Sequence, residues 1–270
     1  MRLHSNTTLM IILKNQTCVI FFFFFFCCFS FEANAQRQIN HQSLFWVGSV
    51  NTIRFSEHWG VVADFHYRTF DFMSHTYYYI TRGLGNYYFN ENLTAGIGYA
   101  HIWSGAFTTA PHPFSNENRI TEQVQLNSKK GKFSISNRWR LEQRWQQKIV
   151  NNAKTNDYRF TDRVRYAITF VCSPFKNKML PSFTNYDEMM VQFGKEVVYN
   201  TFDQVRFSFG IRQNITPRLN VDLNYVYVYQ QQFSGNQYLQ GNTLRLYINY
   251  NVGWKKNDLK KKSALVPEEE

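Results

Sequence analysis

The 270-residue chain is 44% hydrophobic and 18% aromatic, yet its mean hydropathy is only −0.44, so its apolar side chains are dispersed rather than gathered into membrane-helix runs. A formal charge of +11 would suit a nucleic-acid partner, but an N-terminal export signal removes that class and leaves the question of where the positive residues lie. Three of the four cysteines, Cys18, Cys27 and Cys28, fall in that signal, so Cys172 alone can support neither a disulfide framework nor a thiolate metal site within the chain.

In chain order, Arg2 and Lys14 precede an apolar stretch over 18–31 that contains Phe21 to Phe26. Ala33-Asn34-Ala35 then forms a small-x-small site before Gln36, which makes 1–35 a cleaved signal peptide. The stretch is shorter than the roughly 20 apolar residues of a spanning helix.

From Leu44 to Trp254 hydrophobicity repeats with period two, which predicts strands at about 44–55, 59–70, 76–89, 93–103, 118–127, 132–145, 158–172, 181–198, 204–214, 218–229 and 242–254. In the clearest run, Val205, Phe207, Phe209 and Ile211 alternate with Arg206, Ser208, Gly210 and Arg212. A tilted membrane strand needs about 9–11 residues, whereas soluble sheets most often use about 5–6. The expected fold is therefore all-β: a transmembrane antiparallel up-and-down β-barrel of ten to twelve strands over 36–254.

Short connections alternate with longer ones at 104–117, 146–157 and 230–241, as expected for periplasmic turns and outer loops. Eleven strands would make the first and last run the same way. An even count follows if 36–43 adds a strand, giving twelve, or if 44–55 is not a wall strand, giving ten; twelve is favoured. Trp254 ends the last strand with an aromatic suited to outer-membrane insertion machinery. The tail at 255–270, rich in lysine and ending in Glu268 to Glu270, reads as a solvated, disordered periplasmic end.

Several short strings carry a resemblance: Phe45-Trp46, Gly98-Tyr99-Ala100, Asn118-Arg119-Ile120 with Gln123, and Tyr158-Arg159 with Arg163 and Arg165. Asp187-Glu188 and Phe202-Asp203-Gln204 leading into Arg206 extend it. The most specific string is Arg138-Trp139-Arg140-Leu141-Glu142-Gln143-Arg144. On these residues the chain resembles the outer-membrane barrels grouped as domain of unknown function 2490, over 45–254. It departs by having Asn118 where the family usually has an acidic residue followed by His. The resemblance implies a fold and an outer-membrane location, and no activity.

If the apolar face meets lipid, the polar alternates point inward. That places Arg68, Arg82, Arg119, Arg138, Arg140, Arg144, Arg159, Arg163, Arg165, Arg206, Arg212 and Arg245 in the lumen, opposed by Asp64, Glu142, Glu188 and Asp222. Uncompensated charges cannot sit in a dry interior, because each costs several kcal/mol. One reading is an internal arginine–carboxylate lattice centred on Glu142, with Glu188 reaching Arg163 or Arg165, since the arginine fork binds carboxylates bidentately. The other is an anion-favouring channel or transporter for anionic solutes, because arginine rings select anions.

A lipid-active enzyme would need a nucleophile with a base in reach. The inward His66, beside Asp64 and Arg68, and the rim residue His101 belong to no recognisable Ser-His-acid set; no Gly-x-Ser-x-Gly, His-Glu-x-x-His or phosphate-loop motif occurs. No catalytic residue, metal or cofactor is implied. Aromatics toward the strand ends, Trp59, Tyr87, Trp103, Trp145 and Tyr229 among them, suit interfacial girdles, and a sugar platform built on Phe107, Phe114 or Phe233 is the sharper alternative. The expected partners are outer-membrane lipid, the insertion machinery and an anionic solute, and not nucleic acid.

Overall fold

A computed structural model describes residues 37–253; the signal peptide expected at 1–35, Trp254 and the tail lie outside the described residues. The described chain forms eleven strands: β1 (Gln38–Arg54), β2 (Trp59–Phe70), β3 (His75–Tyr88), β4 (Leu93–Ser104), β5 (Ser115–Lys130), β6 (Phe133–Val150), β7 (Ala153–Cys172), β8 (Ser182–Phe193), β9 (Phe202–Asn214), β10 (Leu219–Gln231) and β11 (Gln237–Val252). Each neighbouring pair in sequence is antiparallel, and β1 closes the barrel by pairing with β11 in parallel. Closure leaves no sheet edge to template aggregation.

The parallel seam settles the strand count. Residues 38–43 lengthen β1 instead of forming a strand of their own, since Gln38 already pairs with Gln237 and Ser43 with Asn242. The number is thus eleven, between the ten and twelve that an even count demands. The first and last strands do run the same way.

Period two holds because the barrel has two chemically different faces. Outward positions such as Phe65, Ile97, Val124, Trp139, Phe209 and Ile248 are exposed, while Asp64, Thr121, Arg140, Ser208 and Asn249 on the inward face are buried. Glu122 is an outward exception, set between Ile97 and Leu141 on its neighbours.

The long connections expected at 146–157 and 230–241 are mostly strand. The β6–β7 hairpin pairs out to Val150 and Ala153 and turns on Asn151 and Asn152, whose φ values of 50° and 59° suit asparagine in a two-residue hairpin. The remaining long connections are 105–114, 173–181 and 194–201.

Two irregularities matter for the interior. Arg68 pairs with Tyr78 and Thr69 with Thr76, which leaves Tyr77 as an extra residue in β3. Met190 pairs with Gln204 and Val191 with Phe202, which leaves Asp203 as an extra residue in β9. An added residue breaks the alternation, so both Tyr77 and Asp203 turn inward beside Tyr78 and Gln204.

The seam has a direct check. Val47 faces Leu246 across β1 and β11, and adjacent strands lie about 4.8 Å apart. In a Cys172→Ser background, Val47→Cys with Leu246→Cys is expected to form a disulfide in the folded barrel, read as a mobility shift on non-reducing gels. An intervening twelfth strand would double the gap and abolish the cross-link.

Candidate functional site

Alternation along β2 to β11 brings eleven arginines inside the barrel: Arg68, Arg82, Arg119, Arg138, Arg140, Arg144, Arg163, Arg165, Arg206, Arg212 and Arg245, each 5% exposed or less. Six carboxylates are buried with them among the described residues: Asp64, Glu117, Glu142, Glu188, Asp203 and Asp222. The excess is five positive charges. Arg159 is the correction: it sits beyond the lumen near the β6–β7 hairpin, half-exposed, with its guanidinium 4.0 Å from the Phe233 ring and Nε 3.9 Å from Glu196. The alternation rule assigned its face correctly but not its height on a strand that outruns the barrel.

Sequence reasoning missed two carboxylates for different reasons. Glu117 shares the face of Arg119, and the signal was present, but the strand was begun one residue too late. Asp203 reaches the lumen only through the β9 bulge, which strict period two cannot represent.

Glu142 on β6 accepts from Arg163 through both Nε (2.7 Å) and Nη2, and from Arg165 Nη1 at 2.9 Å. Arg163 Nη1 reaches on to Asp203 at 3.1 Å. Glu188 on β8 is held bidentately by Arg165, Nε to Oε1 at 2.9 Å and Nη2 to Oε2 at 3.0 Å. It also receives Arg138 Nη2 at 3.1 Å and Arg206 Nη1 at 3.3 Å. One carboxylate therefore serves three guanidiniums. Such sharing is the physical answer to an arginine excess, since charge-assisted bonds are about twice as strong as neutral ones.

Nearer one mouth, Glu117 accepts from Arg119, from Arg144 Nε at 2.8 Å and from Gln146 at 2.7 Å. Two pairs stand apart from these clusters: Arg82 with Asp64 (2.8 and 2.6 Å) and Arg212 with Asp222 (2.7 and 2.8 Å). Arg140 has no carboxylate closer than 4.0 Å and donates instead to the Gln123 side-chain oxygen at 2.8 and 3.2 Å. Arg245 donates to Ser208 at 3.4 Å and lies over Tyr247.

At the mouth shared by the β4–β5 and β10–β11 connections lies a cavity of about 250 Å³. Trp46, Tyr77, Phe107 and Phe233 form one part of its wall, and Arg119, Arg144, Arg163 and Arg206 another. The Trp46 indole N–H donates to the Tyr77 hydroxyl at 2.8 Å. Its ring lies 4.1 Å from the Arg68 guanidinium and 5.1 Å from that of Arg206, close enough for cation–π attraction. A smaller cavity of about 150 Å³, lined by Lys129, Lys132, Lys176 and Lys178 among others, lies at the opposite end.

His66 and His101 lie on opposite faces of the barrel wall. His66 is fully buried, 3.2 Å from Asp64, with its ring packed where Gly48 has no side chain; a Cβ there would fall 2.3 Å from its Nδ1. His101 faces outward, 2.8 Å from the Asn118 side-chain oxygen. Neither lines a cavity described above. Among the described residues no group of three or more His, Cys, Asp or Glu side chains is placed to hold a metal ion.

Residues 44–239 match the family described as "Protein of unknown function (DUF2490)". The chain belongs to this family. No curated protein matches it. Among solved structures, the β-domain of the Bordetella autotransporter BrkA is similar, with 10% sequence identity and a TM-score of 0.39 over 68% of this chain and 81% of that one. The stretch matched to DUF2490 runs from the start of the inward Leu44–Trp46 pair to Leu239 and takes in the whole arginine-rich lumen except Arg245.

Removing a shared carboxylate strands its guanidiniums. Glu188→Gln is expected to destabilise the barrel by about 3–5 kcal/mol, the cost of breaking a buried pair from one side, read from guanidinium-induced unfolding. The outward Glu122→Gln is expected to leave stability within about 0.5 kcal/mol.

Proposed function

We propose that the protein is an exported outer-membrane barrel whose lumen is sealed, so that it works as a surface-facing binding or structural barrel rather than an open pore. Strands of 12 to 20 residues meet the roughly 9–11 residues that a tilted membrane strand requires. The outward belt of exposed aliphatic and aromatic side chains suits a hydrocarbon environment, with Trp59, Phe89, Phe133 and Phe183 toward one rim and Tyr158, Phe160 and Phe193 toward the other. A signal peptide over 1–35 and recognition of the last strand by insertion machinery belong to the same reading.

The observation that carries the sealed lumen is burial at mid-barrel. Arg140, Glu142, Arg165 and Arg245 are each 1% exposed and Ser208 is fully buried. A water-filled channel leaves its lining side chains exposed. Small barrels fill their interior with side chains and only much larger ones hold an aqueous channel; eleven strands lined by long arginines fall on the filled side. An anion channel would require the Glu142 and Glu188 clusters to part. Among the described residues, His66 and His101 do not line either cavity, which gives an enzymatic role no support.

The experiment is planar-bilayer recording on the purified, refolded protein, with folding checked by heat-modifiable mobility on gels. Membranes that contain the barrel are expected to show no discrete conductance steps. Reproducible unitary steps, above all anion-selective ones, would overturn the sealed-lumen reading.

A further inference from the structure

Two independent features meet at the mouth that holds the larger cavity. The first is charge. With the pairs Arg82–Asp64 and Arg212–Asp222 set aside, nine buried arginines remain against four buried carboxylates, Glu117, Glu142, Glu188 and Asp203. Buried cations in excess draw an anion into whatever space is open to one. The second is a specific donor. Arg144 is 5% exposed and spends Nε on Glu117, while its Nη1 has no protein partner and the side chain lines the cavity.

Aromatic side chains line the same cavity. Tyr77, turned inward by the β3 bulge, packs against Phe107 of the β4–β5 connection with ring centroids 4.5 Å apart and planes tilted by 36°, and Trp46 is anchored to the Tyr77 hydroxyl. The cup thus combines guanidinium donors with aromatic rings. Its 250 Å³ leaves room for a small ring with one acidic substituent.

We propose that this cup is a binding site for a compact ring-bearing anion, a phosphate or carboxylate attached to a single ring. Arg144, with Arg119 and Arg163 beside it, receives the acidic group, and Trp46, Tyr77 and Phe107 pack the ring. Guanidinium forks suit the planar or tetrahedral oxyanion, and the aromatic wall distinguishes a ring-bearing ligand from a bare ion. The site goes beyond the sealed-lumen reading and does not depend on it, because binding at the mouth requires no passage.

The test is calorimetric titration of the full-length folded barrel in zwitterionic detergent with three probes: phenyl phosphate, inorganic phosphate and phenol. Phenyl phosphate is expected to bind at least about tenfold more tightly than either of the others, and more weakly as salt is raised. Arg144→Gln is expected to weaken it by about tenfold or more, the size of one lost charge-assisted hydrogen bond. Arg218→Gln, a matched loss of charge at the other end of the barrel, leaves affinity unchanged. Phe107→Ala lies on a connection, so it keeps the test alive if Arg144→Gln does not fold; it is expected to erase the preference over inorganic phosphate. The proposal is overturned if the folded wild type binds no phenyl phosphate, if phenol binds equally well, or if neither substitution alters binding. Conductance steps with normal binding would refute the sealed lumen alone, and silent membranes without binding would refute the site alone.

Discussion

A guanidinium cannot shed its charge, so a barrel that turns eleven of them inward must find anionic partners inside or take water in with them. With six carboxylates available, pairing one to one is impossible. The interior resolves this by making Glu142 and Glu188 into junctions, each receiving several arginines from neighbouring strands. Everything else about the lumen follows from that sharing. The junctions cross-link β6, β7, β8 and β9 through side chains as well as through backbone ladders, and they are buried inside the barrel.

Much of this was legible because a barrel wall is the simplest of patterns. Arg138-x-Arg140-x-Glu142-x-Arg144 announces one inward face by spacing alone, and the run from Val205 to Arg212 announces both faces at once. What escaped was whatever broke the rule or fell at its ends. Asp203 and Tyr77 enter through bulges, whose position depends on pairing with a distant strand and leaves no mark in local periodicity. Glu117 was lost to a strand boundary. Arg159 kept its face yet left the lumen, because β7 continues past the rim. The cavity at the mouth combines residues from every strand except β8 and no single segment hints at it.

The two bulges are the source of that cavity's mixed character. Regular alternation at this level would supply Tyr78 and Gln204 alone. Each insertion adds one more side chain to the same end, a phenol that anchors Trp46 and a carboxylate that holds Arg163. Bulges concentrate where a fold re-aims side chains for a purpose, and finding both at one mouth separates that mouth chemically from the lysine-lined opposite end.

The parallel seam gives the barrel a vectorial property that an even-stranded wall lacks. Because β1 and β11 run the same way, Gln38 lies at the arginine-rich mouth and Val252 at the lysine-rich one. The two ends of the described chain therefore lie at opposite mouths. Across a membrane, an epitope joined at each end would report on a different compartment, and a hairpin-closed barrel with both ends on one side would not.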